Sequence, residues 1–158
     1  LPLALSRLPA AQRPKVIHQC GKGQAARVRS AYRAREVEAD VRDFIEDMTT
    51  IYKSVDLMIC RSGASTVSEL ACAEMPSILV PYPHHADQQQ LQNARFLTST
   101  GGAILLEQKS LHPEVLAHAI ENISVQQIST MRSILRSNRH PNATACIADV
   151  LEKVGATR

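Results

Sequence analysis

The 158-residue sequence contains no tryptophan, and aromatic residues make up only 3% of it. Aliphatic side chains must therefore fill the core. An aromatic face for stacking bases is missing, which argues against an RNA-recognition module and against nucleic acid as a partner. No apolar run approaches the ~20 residues that a membrane span needs, and no segment reads as a signal peptide. The four cysteines, Cys20, Cys60, Cys72 and Cys146, have no C-x-x-C spacing and no paired histidine pattern beside them. They read as free thiols in a reducing compartment, not as a zinc site or a disulfide framework, so no metal and no cofactor is assigned. A Gly-x-Ser-x-Gly elbow is also lacking, which removes a Ser-His-Asp nucleophile. Gly21-Lys22-Gly23 falls short of a P-loop, because the upstream glycine and the Ser/Thr after the lysine are not there. It reads as a tight turn, with a phosphate cradle as the weaker alternative.

Charge of one sign is also scarce, the formal net charge being +3. Arg27, Arg29, Arg33 and Arg35, and later Arg132, Arg136 and Arg139, read as solvated helix faces; weak attraction to an anionic membrane or polyanion is the lesser reading.

What is present is alternation. Leu1 to Leu8 has helical leucine spacing and begins without a methionine or a cap, which reads as a fragment whose natural N-terminus lies upstream. Pro14–Gln19 reads as a strand, and Gln24 to Glu36 as a helix. Val37 to Ile45 reads as a strand ending in the acidic turn Glu46-Asp47, and Met48 to Ser54 as a short helix. Leu57-Met58-Ile59 reads as a buried strand, Thr66 to Glu74 as a helix, and Ile78-Leu79-Val80 as the next strand. Leu91, Ala94 and Leu97, with Ala86, make a helical stripe over Asp87 to Ser99 that ends at Gly101-Gly102, and Ala103 to Leu106 is another strand. Three amphipathic helices follow, around 111–123, 128–135 and 145–154, the second stopping near Asn138 and Pro141. Strands alternating with helices predict one α/β domain over 1–158, a doubly wound parallel sheet, with 142–158 a C-terminal helix.

The stretch from Cys60 to Glu69 organises the chain. Strand, small-residue turn, helix and strand make a βαβ unit. Its turn offers the N–H groups of Ala64, Ser65, Thr66 and Val67 at a positive helix end, which suits a phosphate or diphosphate. Glu69 has two readings. Thr66-x-x-Glu69 matches a capping box; alternatively the carboxylate, on the first helical turn, accepts hydrogen bonds from a ribose diol. Gln89, Gln90 and Asn93 share one helix face and suit sugar hydroxyls, or are simply a solvated polar face. Arg61 suits a phosphate or an ion pair with a neighbouring acid. His84 and His85 lack metal-pair spacing; a loop histidine near phosphate is a weaker reading. His18 reads as packed and hydrogen-bonded. The loops after Phe44, Cys60 and Val80 would line one crevice if their strands are neighbours.

Four blocks occur in order: Ile17 to Gly23, Phe44 to Met48, Cys60 to Glu69, and Val80-Pro81-Tyr82-Pro83 with Asp87 to Ala94. Together they resemble the C-terminal half of the MurG family, cytoplasmic N-acetylglucosaminyltransferases of bacterial peptidoglycan synthesis. The likeness runs from Val16 to the final helix, and the Arg-Ser-Gly-Ala-x-Thr-Val-Ser-Glu block is its specific part. The resemblance implies a Rossmann-like domain, the C-terminal half of a GT-B glycosyltransferase, N-terminally truncated, that binds UDP-N-acetylglucosamine without a metal. It implies that Ile45 meets the uracil edge through its backbone and that Ala64 to Ser68 contact the nucleotide sugar. Glu69 would hold the ribose, and Gln90, with Gln89 and Asn93, would meet the sugar or its phosphates. The family's acceptor, lipid I, its membrane contact on the cytoplasmic face of the inner membrane, and its candidate base are implied to belong to the N-terminal half. The family's Gly-Gly-Ser-Gln-Gly loop is absent, so the fragment is expected to bind donor weakly and not to turn over. A UDP-N-acetylglucosamine 2-epimerase and a noncatalytic nucleotide-sugar-binding module are the alternatives.

Overall fold

A computed structural model describes residues 1–84, 87–138 and 142–155. The strands are β1 Ile17–Gln19, β2 Asp40–Arg42, β3 Met58–Cys60, β4 Ser77–Leu79 and β5 Ala103–Leu105. The helices are α1 Pro2–Leu5, α2 Ala25–Arg33, α3 Met48–Ser54, α4 Ala64–Cys72, α5 Gln89–Thr98, α6 Pro113–Glu121, α7 Val125–Asn138 and α8 Ala143–Gly155. Every strand pair is parallel, in two sheets ordered β1-β2 and β3-β4-β5.

The register explains why helices cover both faces. Ile59, Ile78 and Ile104 stand in one row across β3, β4 and β5, and Cys60, Leu79 and Leu105 in the next. Successive side chains point to opposite faces of a strand, so the two rows enter different cores. The isoleucine row packs with Ala4 and Leu5 of α1, Ala25 and Tyr32 on α2, and Leu116 and Ala117 of α6. The leucine row packs with Val67 and Leu70 of α4, Ala94 and Leu97 of α5, and Leu135 of α7. Only β4 is buried along its whole length, as an apolar run flanked by strands on both sides should be. Fully buried side chains such as Leu70, Ile78 and Leu79 each contribute about 1.5–3 kcal/mol.

The elements predicted from the sequence are all present, many with shorter ends, while β3, α4 and β4 are displaced by one or two residues and α7 is longer at both ends. The second helix stops at Arg33 rather than Glu36 because the chain tightens: the amides of Arg35 and Glu36 donate to carbonyls three residues back, and Glu36 turns left-handed at φ 52°. Val37 is buried but donates to Tyr32 O at 3.2 Å, so it closes that turn instead of joining β2. His18 is indeed packed and hydrogen-bonded, with Nδ1 3.0 Å from the Tyr32 hydroxyl; burial lowers its pKa and pushes the Tyr32 phenol up to about 12. All four cysteines are free thiols. Arg29 and Arg132 donate to the carbonyls of Val41 and Val55, and Arg136 pairs with Glu74, so these arginines brace the fold as well as meeting solvent. Arg139, Pro141, His85 and Ala86 lie outside the described residues. The apolar side chains of α8, Ile147, Val150, Leu151 and Val154, are exposed; no described helix is long and apolar enough to cross a membrane.

Gly101 and Gly102 end α5 as the sequence predicts. Gly101 takes φ 88°, and the Gly102 amide returns to Leu97 O at 3.0 Å. Gly102 is needed for space: a Cβ there would lie 2.6 Å from Leu135 Cδ2 and 2.9 Å from its Cγ. Gly102→Ala should therefore lower stability by about 1–2 kcal/mol, as overpacking does, read as an earlier denaturant midpoint at unchanged slope.

Candidate functional site

The βαβ unit β3–α4–β4 forms as predicted, with Met58↔Ser77 and Cys60↔Leu79 in register. After Cys60 the chain passes through Arg61 and the wholly buried Ser62 to Gly63, the N-cap of α4, with φ −61° and ψ 154°. The helix thus begins two residues earlier than the sequence suggests. Thr66 lies inside the first turn, no side chain caps the helix, and the capping box does not form. Val67 N–H is not available either, because it donates to Gly63 O at 2.9 Å. Ala64, Ser65 and Thr66 keep main-chain N–H groups with no protein partner, as the first turn of a helix must.

Glu69 stands on the second turn and is exposed. Its Oε2 accepts from the Tyr52 hydroxyl of α3 at 2.9 Å. Burial and this bond raise the Tyr52 pKa, so the phenol stays a donor to the carboxylate. That leaves Oε1 and a lone pair of Oε2 for a ligand. The helix α3 is itself capped by Asp47, whose Oδ1 accepts from Thr50 N–H at 3.0 Å. The acidic turn that closes the β2 segment therefore seats the tyrosine that orients Glu69.

Ile45, three residues earlier than this helix, is buried. Its N–H donates to Gln19 Oε1, 2.8 Å away at the end of β1. Of the backbone groups expected to meet a base edge, only the carbonyl is left over. Phe44 beside it is 70% exposed.

The first turn of α5 closes against the β3–α4 turn. Ser62 Oγ donates to Gln90 O at 2.7 Å, and Asn93 Nδ2 donates to Ser62 O at 3.2 Å. Gln90 Oε1 accepts from Tyr82 N–H at 2.9 Å. Gln90 and Asn93 are therefore half-buried braces rather than a solvated face, while Gln89 is exposed. Among the described residues Arg61 pairs with no acid. Its Nη1 donates to Val80 O and Pro81 O, both at 3.1 Å, and its guanidinium sits 5.5 Å from the Tyr82 ring centroid. His84 is exposed and meets Tyr82 edge-on. The Cys60 thiol, at the end of β3, is pushed up to about 11 by burial and is no nucleophile near neutrality. Among the described residues no three His, Cys, Asp or Glu side chains group as for a metal ion.

The sequence reading missed Gln19, Tyr52, Ser62 and Tyr82. A polar residue ending an apolar strand was the available signal for Gln19 and Ser62. Nothing local marks Tyr52, which acts across 17 residues of chain.

A helix N-terminus with free amides, a carboxylate one turn on and a polar second helix start are chemistry suited to an anionic, hydroxylated ligand. The chain is 44% identical over 152 residues to a protein of Thiobacillus denitrificans named UDP-N-acetylglucosamine--N-acetylmuramyl-(pentapeptide) pyrophosphoryl-undecaprenol N-acetylglucosamine transferase, covering 96% of this chain and 42% of that one. A protein of the same name from Azoarcus sp. is 44% identical over 158 residues, covering 100% of this chain and 44% of that one. The chain thus spans less than half the length of these curated relatives. A crystal structure of Acinetobacter baumannii MurG superposes with a TM-score of 0.88 at 35% identity, over 96% of this chain and 46% of that one. The family model for the glycosyltransferase family 28 C-terminal domain matches residues 2–145, which takes in both sheets and every site residue above, so the chain belongs to that family.

Proposed function

We propose that this chain is the donor-binding half of an inverting N-acetylglucosaminyltransferase of peptidoglycan synthesis, and that UDP-N-acetylglucosamine occupies the crevice at the N-terminus of α4. The observation that carries the reading is the turn Gly63–Thr66 with its three free amides and, one turn on, the Glu69 carboxylate already held by Tyr52. The diphosphate sits on the amides of Ala64 to Thr66, where the helix dipole favours negative charge. Glu69 accepts from the ribose 2′- and 3′-hydroxyls. The Ile45 carbonyl takes the uracil N3–H, since its amide is committed to Gln19. Gln89 and the Nε2 of Gln90 face the sugar.

In the reaction the bond from the sugar anomeric carbon to the diphosphate breaks and UDP leaves with the electron pair. The 4-hydroxyl of the muramoyl sugar of lipid I bonds to the opposite face of that carbon, giving lipid II, and its proton passes to a base in the N-terminal half of the full-length enzyme. The amides of α4 stabilise the charge that grows on the leaving diphosphate, as preorganised dipoles do. The names of the relatives support transfer over 2-epimerisation. Residues 1–158 are read as one donor domain ending in α8, acting at the cytoplasmic face of the inner membrane, with lipid I and the membrane met through the other half.

Amide-shift titration of the 158-residue chain tests the donor site. UDP and UDP-N-acetylglucosamine should move the amides of Ala64, Ser65 and Thr66, and should do so more strongly than ADP at equal concentration. No response at these amides at millimolar UDP would overturn the reading. Turnover by the isolated chain would overturn the placement of the base elsewhere.

A further inference from the structure

Ser62 contributes no surface to any ligand: it is 0% exposed. It is nevertheless the point where α5 is fastened to the β3–α4 turn. Its hydroxyl donates to the main-chain carbonyl of Gln90, and its own carbonyl accepts from Asn93 Nδ2. The two bonds run in opposite senses between the same two segments, so they restrain rotation of α5 against the β3–α4 turn as well as separation.

Residues 80–82 are tied to the same turn. Arg61 holds the carbonyls of Val80 and Pro81 and lies over the Tyr82 ring. Tyr82 N–H meets the side chain of Gln90 at 2.9 Å. A main-chain N–H can only donate, so the amide atom facing it must be the oxygen, and Gln90 presents Nε2, a pure donor, on its other side. Just before α5, Gln88 is held left-handed at φ 51°, a conformation that a non-glycine residue keeps only where its surroundings impose it. The chain thus spends several restraints on the pitch of the first turn of α5, the turn that carries Gln89 and Gln90.

We infer that Ser62 is a positioning residue for the sugar half of the donor: by fixing α5 against α4, it sets where the Gln89 and Gln90 amides stand when the diphosphate rests on Ala64 to Thr66. The inference rests on the donor reading above. It separates two parts of the ligand, because the diphosphate and ribose depend on α4 and its neighbour α3, whereas only the sugar depends on the relation of α5 to α4.

The test compares UDP with UDP-N-acetylglucosamine. Ser62→Ala and Asn93→Ala are made separately and together in the 158-residue chain, and both dissociation constants are read from amide shifts, with thermal unfolding alongside. In each single variant the UDP constant should stay within about twofold, while the UDP-N-acetylglucosamine constant should rise about fivefold, the scale of one lost hydrogen bond. The double variant should lose little more than either single one, because both bonds serve one restraint. Hydrogen exchange at Tyr82 N–H should quicken in Ser62→Ala. Variants that melt earlier yet keep the full advantage of the sugar nucleotide over UDP would reduce Ser62 to a structural residue and overturn the inference. So would a parallel loss for both ligands. Should Ser62→Ala fail to fold, Asn93→Ala decides by the same two constants. A wild-type chain that binds neither ligand overturns the donor reading and this inference with it; a wild type that binds UDP and UDP-N-acetylglucosamine alike, with shifts at Ala64 to Thr66, overturns this inference alone.

Discussion

Glu69→Ala should weaken UDP binding on the order of a hundredfold, with little change in thermal stability. A carboxylate accepting from two vicinal hydroxyls makes charge-assisted bonds of about 1.5–3 kcal/mol each, and about 3 kcal/mol in all is roughly a hundredfold in Kd. Stability should move little because Glu69 is exposed and the Tyr52 hydroxyl that its carboxylate accepts from can turn to water once the carboxylate is gone. Glu69→Gln keeps size and one acceptor and should fall between. Tyr52→Phe removes the hydroxyl that holds Oε2 and should cost about fivefold, as an ordinary hydrogen bond does. The measurement is titration with UDP and with 2′-deoxy-UDP. Wild type should discriminate between them, and Glu69→Ala should not. Equal loss of both ligands alongside earlier unfolding would mean that Glu69 serves the helix and not the ribose.

Ala64→Pro should reduce UDP affinity by about tenfold while leaving the fold intact. Ala64 is the first residue of α4, a position where proline is well accommodated because its missing N–H would be unpaired anyway. Gly63 before it already has the extended backbone, ψ 154°, that a residue preceding proline prefers. The substitution therefore deletes one diphosphate donor with little cost to the helix. Such a bond to a charged group is worth about 1.5 kcal/mol at the low end, or about tenfold. Uridine, which has no phosphate, supplies the control: its weaker binding should be the same in both proteins. A uridine affinity that falls as far as that of UDP would show that the turn had been distorted instead.

Local patterns carried much of this. The strand–turn–helix–strand unit around Cys60 to Glu69 is legible because each piece is short and marked by its own chemistry: an apolar run, a glycine turn, a 3.6-period stripe. The parallel sheet and the helices on both faces follow from the alternation of such pieces. The exact start of α4 did not follow. Thr66-x-x-Glu69 has the spelling of a capping box, but Gly63 already supplies the extended backbone that a helix start needs, so the helix begins before the threonine. The polar residues of α5 were legible as a cluster, but not which of their groups the fold itself would take. Gln89 is exposed, whereas Gln90 Oε1 is taken by the Tyr82 amide and Asn93 Nδ2 by the Ser62 carbonyl, which leaves Gln90 Nε2. Arg61 was weighed as a phosphate or acid partner; its Nη1 holds two carbonyls, which leaves its other guanidinium N–H groups for an anion.

By itself the sequence determined the α/β class, the free-thiol state of the cysteines, the place of the amide-rich turn and the choice of Glu69 as the acid beside it. These depend on composition and on neighbours within a few residues, which the order of residues states directly. Only the tertiary structure decided which partner each polar group keeps. Tyr52 takes one oxygen of Glu69, Gln19 takes the Ile45 amide, and Ser62 fastens α5 to α4. Each of these bonds joins residues 17 to 28 positions apart, and hydrogen bonds form only within about 3.5 Å, so they are settled by how the sheets and helices pack.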